Sequence, residues 1–413
     1  MPPSGSRKVG IEKIAAYPCS LALDLEQLAR ARGLDPAFLQ NQLFVTARSL
    51  NPLWEDPVTM GVNAALDLID DTDRETIELI IVATESSPDF GKPISTYIQK
   101  FCGIQPHCRN FEIKHACYGG NSALVMAAHW VLSGMNKGAR VLVVTTDQSR
   151  AHFYKPWELT MGAGAVAMIV SDDPKVLELD LENHGFWTQE IADTFRPTST
   201  AEVGNSDESM FSYLEALENA YAHFLKRAGP IDFDAYFKKN IYHVPFGGMT
   251  FRAHRSLLKL HCPGQVEHAR EHFDLKTRPS ILYNSQMGAT YSSSIFLALM
   301  GLIDSCPDLE PGDRIGIFSY GSGSCAEFYG ARIGDKARPI VKAFDLQSRL
   351  GRRRHISVKN YERIERSREE QMDREHLEVD FSDMEEHYAS FYEGRRRLVL
   401  ESICDYRRNY KVS

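Results

Sequence analysis

Three side chains of the kinds that carry acyl-transfer chemistry stand where short apolar runs end. Cys117 follows the β-rich run NFEIKHA and opens a small-residue helical pattern beginning Tyr118-Gly119-Gly120. There its sulfur faces the backbone N–H groups of a helix start, whose positive dipole end favours thiolate. Gly119 and Gly120 let backbone approach a bound ligand closely, and the Cys117 amide is a candidate oxyanion donor. The competing reading of a lone cysteine is a small buried hydrophobe. Glu85 ends the apolar run LIIVAT just before Ser86, Ser87 and Pro88, a strand terminus of the kind where α/β proteins assemble sites. Partial desolvation there raises a carboxyl pKa toward acid/base work; otherwise Glu85 is an exposed loop acid. His243 ends NIYHVPF ahead of a glycine pair, and reads as a site histidine or as a satisfied core histidine. Together the three supply a nucleophile, a base and a hydrogen-bond donor to a carbonyl, a set suited to thioester chemistry.

Other motifs are weaker. Gly162-Ala163-Gly164 runs into the β-like AVAMIV and not into a helix, so it fails the dinucleotide fingerprint. Gly321-Ser322-Gly323 joins two strand-like runs; Ser322 and Gly323 either line an acyl pocket or make a tight turn. Cys102, His107 and Cys108 lack paired ligand spacing, so no metal and no resident cofactor is expected.

The elements that must position these residues follow an α/β pattern. Strand-like runs over Glu78–Ser86, Asn110–Ala116, Ala139–Asp147 and Ala165–Ser171 alternate with helical patterns over Val58–Ile69 and from Cys117 to Gly134. The pattern restarts after Val203, with helices over Met210–Ala228, about Gly248–His261 and Gly288–Asp304, and the strand pair DRIGIFSYG and CAEFYGARI. The expected organisation is a disordered leader over 1–8, a half over 9–205 with Glu85 and Cys117, a half over 206–345 with His243, and a charged tail over 346–413. Both halves place a reactive segment at a strand end, although no residue-level repeat proves duplication. In the tail the spacing of Leu398, Leu400, Ile403 and Tyr406 predicts an amphipathic helix docked on the body.

The 413-residue chain is 43% hydrophobic and 25% charged, enough to bury a large core. A formal charge of −8 excludes a bulk basic field for nucleic acid or an anionic membrane. Eight cysteines without regular spacing read as reduced thiols of a cytoplasmic protein. The start lacks the apolar core of a signal peptide, and no apolar run is long enough to span a membrane.

The strings VGIEKIAAYPC, ARGLD, VATESSPDFGKPIST, NFEIKHACYGGNSALVMA, MGAGAVAMIV, YHVPFGGMTFRAHR and GIFSYGSG resemble, in order and spacing, the hydroxymethylglutaryl-CoA synthase family of the thiolase superfamily. The resemblance implies a thiolase-like α/β fold, two similar halves in a layered αβαβα arrangement with C-terminal helices, and a homodimer. It gives Cys117 the role of taking an acetyl group, Glu85 that of removing a proton from the acetyl methyl, and His243 that of positioning the acceptor ketone. HVPFGGM followed by AHR is most similar to the stand-alone synthases of polyketide β-branching, which implies acyl carrier proteins as donor and acceptor partners and substrates on phosphopantetheine. Pro245, Phe246, Gly288, Ala289 and Tyr154 would then line the acceptor pocket, and Arg252, Arg255 and Lys259 would dock an acidic carrier. Two positions depart from the family pattern: the usual glycine-asparagine pair is Gly288-Ala289, and the position of a frequent site tyrosine is Ala151, with Tyr154 nearby. The alternatives are a primary-metabolism synthase using CoA thioesters and a non-catalytic partner subunit.

Overall fold

The computed structural model describes residues 7–134 and 138–413. Of the leader expected over 1–8, residues 1–6 lie outside the described residues. Arg7 and Lys8 are tied to the body, Arg7 donating to the Leu132 carbonyl at 3.2 Å and Lys8 pairing with Glu178 at 3.0 Å.

Nine strands form one sheet, in the spatial order Lys239–Tyr242, Arg314–Gly321, Cys325–Ile333, Leu177–Thr188, Gly10–Pro18, Ala163–Ser171, Arg140–Gln148, Ile77–Ala83 and Arg109–Ile113. The sheet contains one pattern twice. Gly10–Pro18 pairs antiparallel with Ala163–Ser171, which pairs antiparallel with Arg140–Gln148, which runs parallel to Ile77–Ala83. Leu177–Thr188, Cys325–Ile333, Arg314–Gly321 and Lys239–Tyr242 repeat that sequence of directions. The halves meet where Gly10 and Ile11 face Glu178 and Leu177. Topology therefore shows the duplication that residue identities conceal. It also moves the boundary expected at 205/206, because the strand that opens the second half, Leu177–Thr188, comes earlier in the chain.

Two helices lie in the middle layer. Gly119–Leu132 presents Ala123, Leu124, Ala127 and Ala128, all fully buried, to the strand residues Ile81, Ala83, Val143 and Met168. Small side chains at successive turns let its backbone sit close to the sheet. Ser294–Ser305 is buried from Ser294 through Ile303, which explains a run that is apolar on every face. Each large apolar side chain buried there contributes roughly 1.5–3 kcal/mol. Pro57–Leu66 and Ile94–Phe101 cover the outer face of the first half, and Ser206–Ala228 with Gly247–His261 that of the second. The result is the layered αβαβα arrangement of a thiolase-like fold.

The tail differs from expectation. Helices Leu346–Gly351, Val358–Gln371 and Glu385–Phe391 are present, but Leu398–Cys404 is a strand, paired antiparallel with Leu377–Glu378 and with Arg407–Val412. Leu398, Leu400 and Ile403 are buried, while Tyr406 stands 66% exposed in the hairpin turn. The reason is long-range bonding: the Leu398 N–H reaches the Asn63 side chain at 2.8 Å and the Leu400 N–H reaches the Trp54 carbonyl at 2.8 Å. The helical run expected from Gly288 is also shorter. Gly288 ends a short helix at φ 78°, and the long helix starts only at Ser294. No helix of the described residues is long and apolar enough to cross a membrane.

Candidate active site

Cys117 sits in the turn between the strand Arg109–Ile113 and the helix Gly119–Leu132. Ala116 adopts φ 39°, the left-handed region that costs a non-glycine residue on the order of 1 kcal/mol or more. That turn lifts the thiol out of the sheet. Of the two glycines behind it, Gly120 is required by close packing. A Cβ on Gly120 would stand 2.2 Å from the Ser292 carbonyl oxygen, and one on Gly119 would touch Ala83. The Gly119 N–H is spent on the His115 carbonyl at 3.1 Å. The expected thiolate is corrected: burial first, then the negative charges of Glu85 and Asp147, push the Cys117 thiol well up. Its sulfur donates to Glu85 Oε2 at 3.8 Å.

Glu85 is held by its backbone. Its N–H donates to Asp147 Oδ1 at 2.8 Å, and the same carboxylate collects Thr84 Oγ1 at 3.0 Å, Ser86 Oγ at 2.8 Å and the Ser292 N–H at 3.2 Å. Asp147, fully buried at the end of Arg140–Gln148, thus pins the Glu85 loop to the entry of the buried helix at Ser294. Loss of water raises the Glu85 carboxyl to about 8, against the opposing pull of Arg196. Arg196 Nε lies 3.3 Å from Glu85 Oε1, and the guanidinium also donates to the Glu85 carbonyl at 3.3 Å and lies 4.9 Å from the Tyr291 ring centre. The same arginine pairs with Glu202 at 3.0 Å, and Glu202 faces His152 at 3.2 Å. Asp147, Arg196, Glu202 and His152 were absent from the sequence reading. The acid ending TTD was the one signal that marked any of them.

His243 follows the strand Lys239–Tyr242 and is 2% exposed. Its N–H donates to the Phe318 carbonyl at 2.7 Å and its own carbonyl accepts from Tyr213 OH at 2.8 Å, which fixes the backbone on both sides. Nδ1 is 2.8 Å from Ser294 Oγ. Burial lowers its pKa to about 3, so the ring is neutral and serves as a hydrogen-bonding group, not a cation.

Cys117 and His243 open into one cavity of about 380 Å³. Ser322, Pro245, Phe246, Ala289 and Arg252 also line it. The rest of the expected set lies outside its lining. Gly288 shapes the turn, where a Cβ would meet the Met161 carbonyl oxygen at 2.2 Å. Gly323 spends its N–H on Asp193 at 3.0 Å. Tyr154 is 70% exposed and rests on Arg32, because its own backbone N–H is turned to Glu158. Arg255 and Lys259 are exposed on the helix that carries Arg252 to the cavity.

Residues 6–175 match the N-terminal and residues 261–413 the C-terminal model of hydroxymethylglutaryl-coenzyme A synthase. The polyketide biosynthesis 3-hydroxy-3-methylglutaryl-ACP synthase PksG of Bacillus subtilis is 34% identical over 97% of this chain and 98% of its own. The chain belongs to the hydroxymethylglutaryl-CoA synthase family. A hydroxymethylglutaryl-CoA synthase of Enterococcus faecalis is 33% identical over 86% of this chain and 90% of its own. Among solved structures, the HMG synthase of the curacin biosynthetic pathway in complex with acetyl donor-ACP superposes with a TM-score of 0.93 at 34% identity, covering 98% of this chain and 100% of that one.

Proposed function

We propose that this enzyme is the 3-hydroxy-3-methylglutaryl synthase of a polyketide β-branching system, working on acyl groups carried by acyl carrier proteins. Cys117 attacks the donor thioester while Glu85 receives the thiol proton, and the acetyl group moves from the carrier's phosphopantetheine to Sγ. Glu85, returned to its carboxylate form, then takes a proton from the acetyl methyl. The enolate carbon bonds to the β-carbon of a β-ketoacyl acceptor, whose oxygen is held by neutral His243. Hydrolysis of the Cys117 thioester releases the product on its carrier. Holding both partners in one cavity converts a bimolecular aldol step into a unimolecular one.

The observation that carries this reading is that Cys117 and His243 line one cavity, with Glu85 accepting from the Cys117 sulfur at 3.8 Å, in a chain similar along its length to a 3-hydroxy-3-methylglutaryl-ACP synthase. No cofactor takes part in this scheme. Arg252 at the cavity mouth, with Arg255 and Lys259 along the same exposed helix, is the proposed landing site for an acidic carrier on a protein of net charge −8. Free thiols at all eight cysteines support a reducing, cytoplasmic setting. A homodimer is supported by the sheet's last strand, Arg109–Ile113, which ends the strand order and carries Phe111 at 39% exposure.

Reconstitution tests the reading. Acetyl-carrier and acetoacetyl-carrier mixed with the enzyme should yield carrier-bound 3-hydroxy-3-methylglutaryl, detected by mass spectrometry, and Cys117→Ala should yield none. Product from the Cys117→Ala protein would sink the enzymatic scheme. Equal turnover of acetyl-CoA with acetoacetyl-CoA would move the enzyme to the CoA-dependent branch of the family.

A further inference from the structure

Among the ionisable side chains that line the cavity without a part in the scheme above, His152 and Glu202 form a pair. They face one another, His152 Nε2 lying 3.2 Å from Glu202 Oε2, with side chains 9% and 6% exposed. Burial alone would raise the Glu202 carboxyl, but His152 and Arg196 outweigh it and hold it down at about 2. Glu202 is therefore a fixed anion inside the cavity wall. Its other oxygen accepts from Tyr291 OH at 3.3 Å, and Arg196 braces it at 3.0 Å. His152 is aimed by its backbone. It adopts φ 52°, left-handed for a β-carbon-bearing residue, while the preceding Ala151 is fully buried and does not line the cavity. The Trp157 ring packs edge-on at 5.7 Å and limits its rotation. A carboxylate facing one ring nitrogen at 3.2 Å, a cavity that the residue lines and a strained backbone behind make up an arrangement suited to orienting an acid/base imidazole.

Proton accounting in the proposed reaction shows what such a group has to do. Glu85 takes a proton from the acetyl methyl on the donor side, beside Cys117. Carbon–carbon bond formation then leaves the electron pair of the ketone on its oxygen, which needs a proton of its own. His243 is buried and neutral, so it holds that oxygen but is a poor source of a full proton. We propose that His152, oriented by Glu202, is the acid/base residue of the acceptor half-reaction, delivering the proton to the new tertiary alkoxide. In the hydrolytic step the water oxygen bonds to the thioester carbon and the C–S bond breaks. Glu85 gives its proton to the leaving sulfur and His152 recovers one from the water, so both groups end the cycle as they began it. This inference rests on the synthase reading and adds a named residue to it.

The test separates the two half-reactions in His152→Gln and Glu202→Gln. Acetylation of Cys117 from acetyl-carrier, followed by intact-protein mass spectrometry, reports the donor half; formation of the branched product on acetoacetyl-carrier reports the whole. Loss of general acid/base assistance is worth about a hundredfold to ten-thousandfold. His152→Gln should therefore lower product formation at least about a hundredfold while acetylation changes less than about tenfold, and free imidazole should restore part of the product rate in His152→Ala. Glu202→Gln should show the same split. A loss shared equally by both half-reactions, or a His152→Ala protein that folds, acetylates and gains nothing from imidazole, would overturn the assignment. Failure of the unmodified enzyme to acetylate would instead count against the synthase reading.

Discussion

Glu85 and Cys117 are pushed by burial in the same sense, both toward their neutral forms; the charge of Glu85 raises the thiol further, while the hydrogen bond from Cys117 draws the Glu85 carboxyl back down. A helix start alone would have favoured thiolate; burial, together with the nearby carboxylates, reverses that preference, so the thiol must lose its proton during attack and not before it. Arg196 is the counterweight. Its cation favours the charged form of Glu85, and replacing it removes that support. Glu85 acts as a base only when ionised, so exchange of the acetyl methyl protons with deuterium should rise with pH toward about 8 and level off above it. In Arg196→Gln the rising limb should move to higher pH, with exchange at pH 7 down about tenfold for each unit of displacement. An unmoved limb would show that Arg196 does not tune the base. Cys117, Glu85 and His243 were legible in the sequence because each follows an apolar run and precedes glycine or proline. Arg196 was not, since its meeting with Glu85 joins residues 111 positions apart and an arginine before Pro197 in a polar stretch reads as an ordinary surface turn.

Among the elements, the helix Gly247–His261 serves both cavity and surface. Met249 is buried against the cavity at its start, exposed Arg252 borders the cavity, and Arg255 and Lys259 continue along the exposed face. If that face receives an acidic carrier, Arg255→Glu with Lys259→Glu should weaken carrier binding at least about tenfold and flatten its salt dependence, with little change in melting temperature. Binding by calorimetry at two ionic strengths checks this, and unchanged affinity would place the landing site elsewhere. The tail strand Leu398–Cys404 marks the limit of periodicity as a guide. Its apolar positions fit a helix about as well as a strand, and the deciding bonds, to Asn63 and Trp54, come from the far end of the chain. The strands near the site were readable because they are continuous apolar runs buried on both faces.

For the molecule as a whole, the repeated strand order explains why a two-half architecture was visible as a rhythm of elements but not as a repeat of residues. Core strands and helices constrain volume and polarity, and many sequences satisfy both. The divergent features are the ones each half needs for its own site residue, the Cys117 turn in one and the His243 strand end in the other. The open edge at Arg109–Ile113 belongs to this scale too. Light scattering should give twice the chain mass of 46.6 kDa, and Phe111→Lys with Ile113→Lys should shift the mass toward the monomer; a parent protein of single-chain mass would refute the dimer. The most direct test of the central claim is the donor that charges Cys117. Intact-protein mass spectrometry on rapidly quenched mixtures should find the acetyl group on Cys117 many times faster from acetyl-carrier than from acetyl-CoA at equal concentration. Equal labelling by the two donors, or faster labelling by acetyl-CoA, would contradict it.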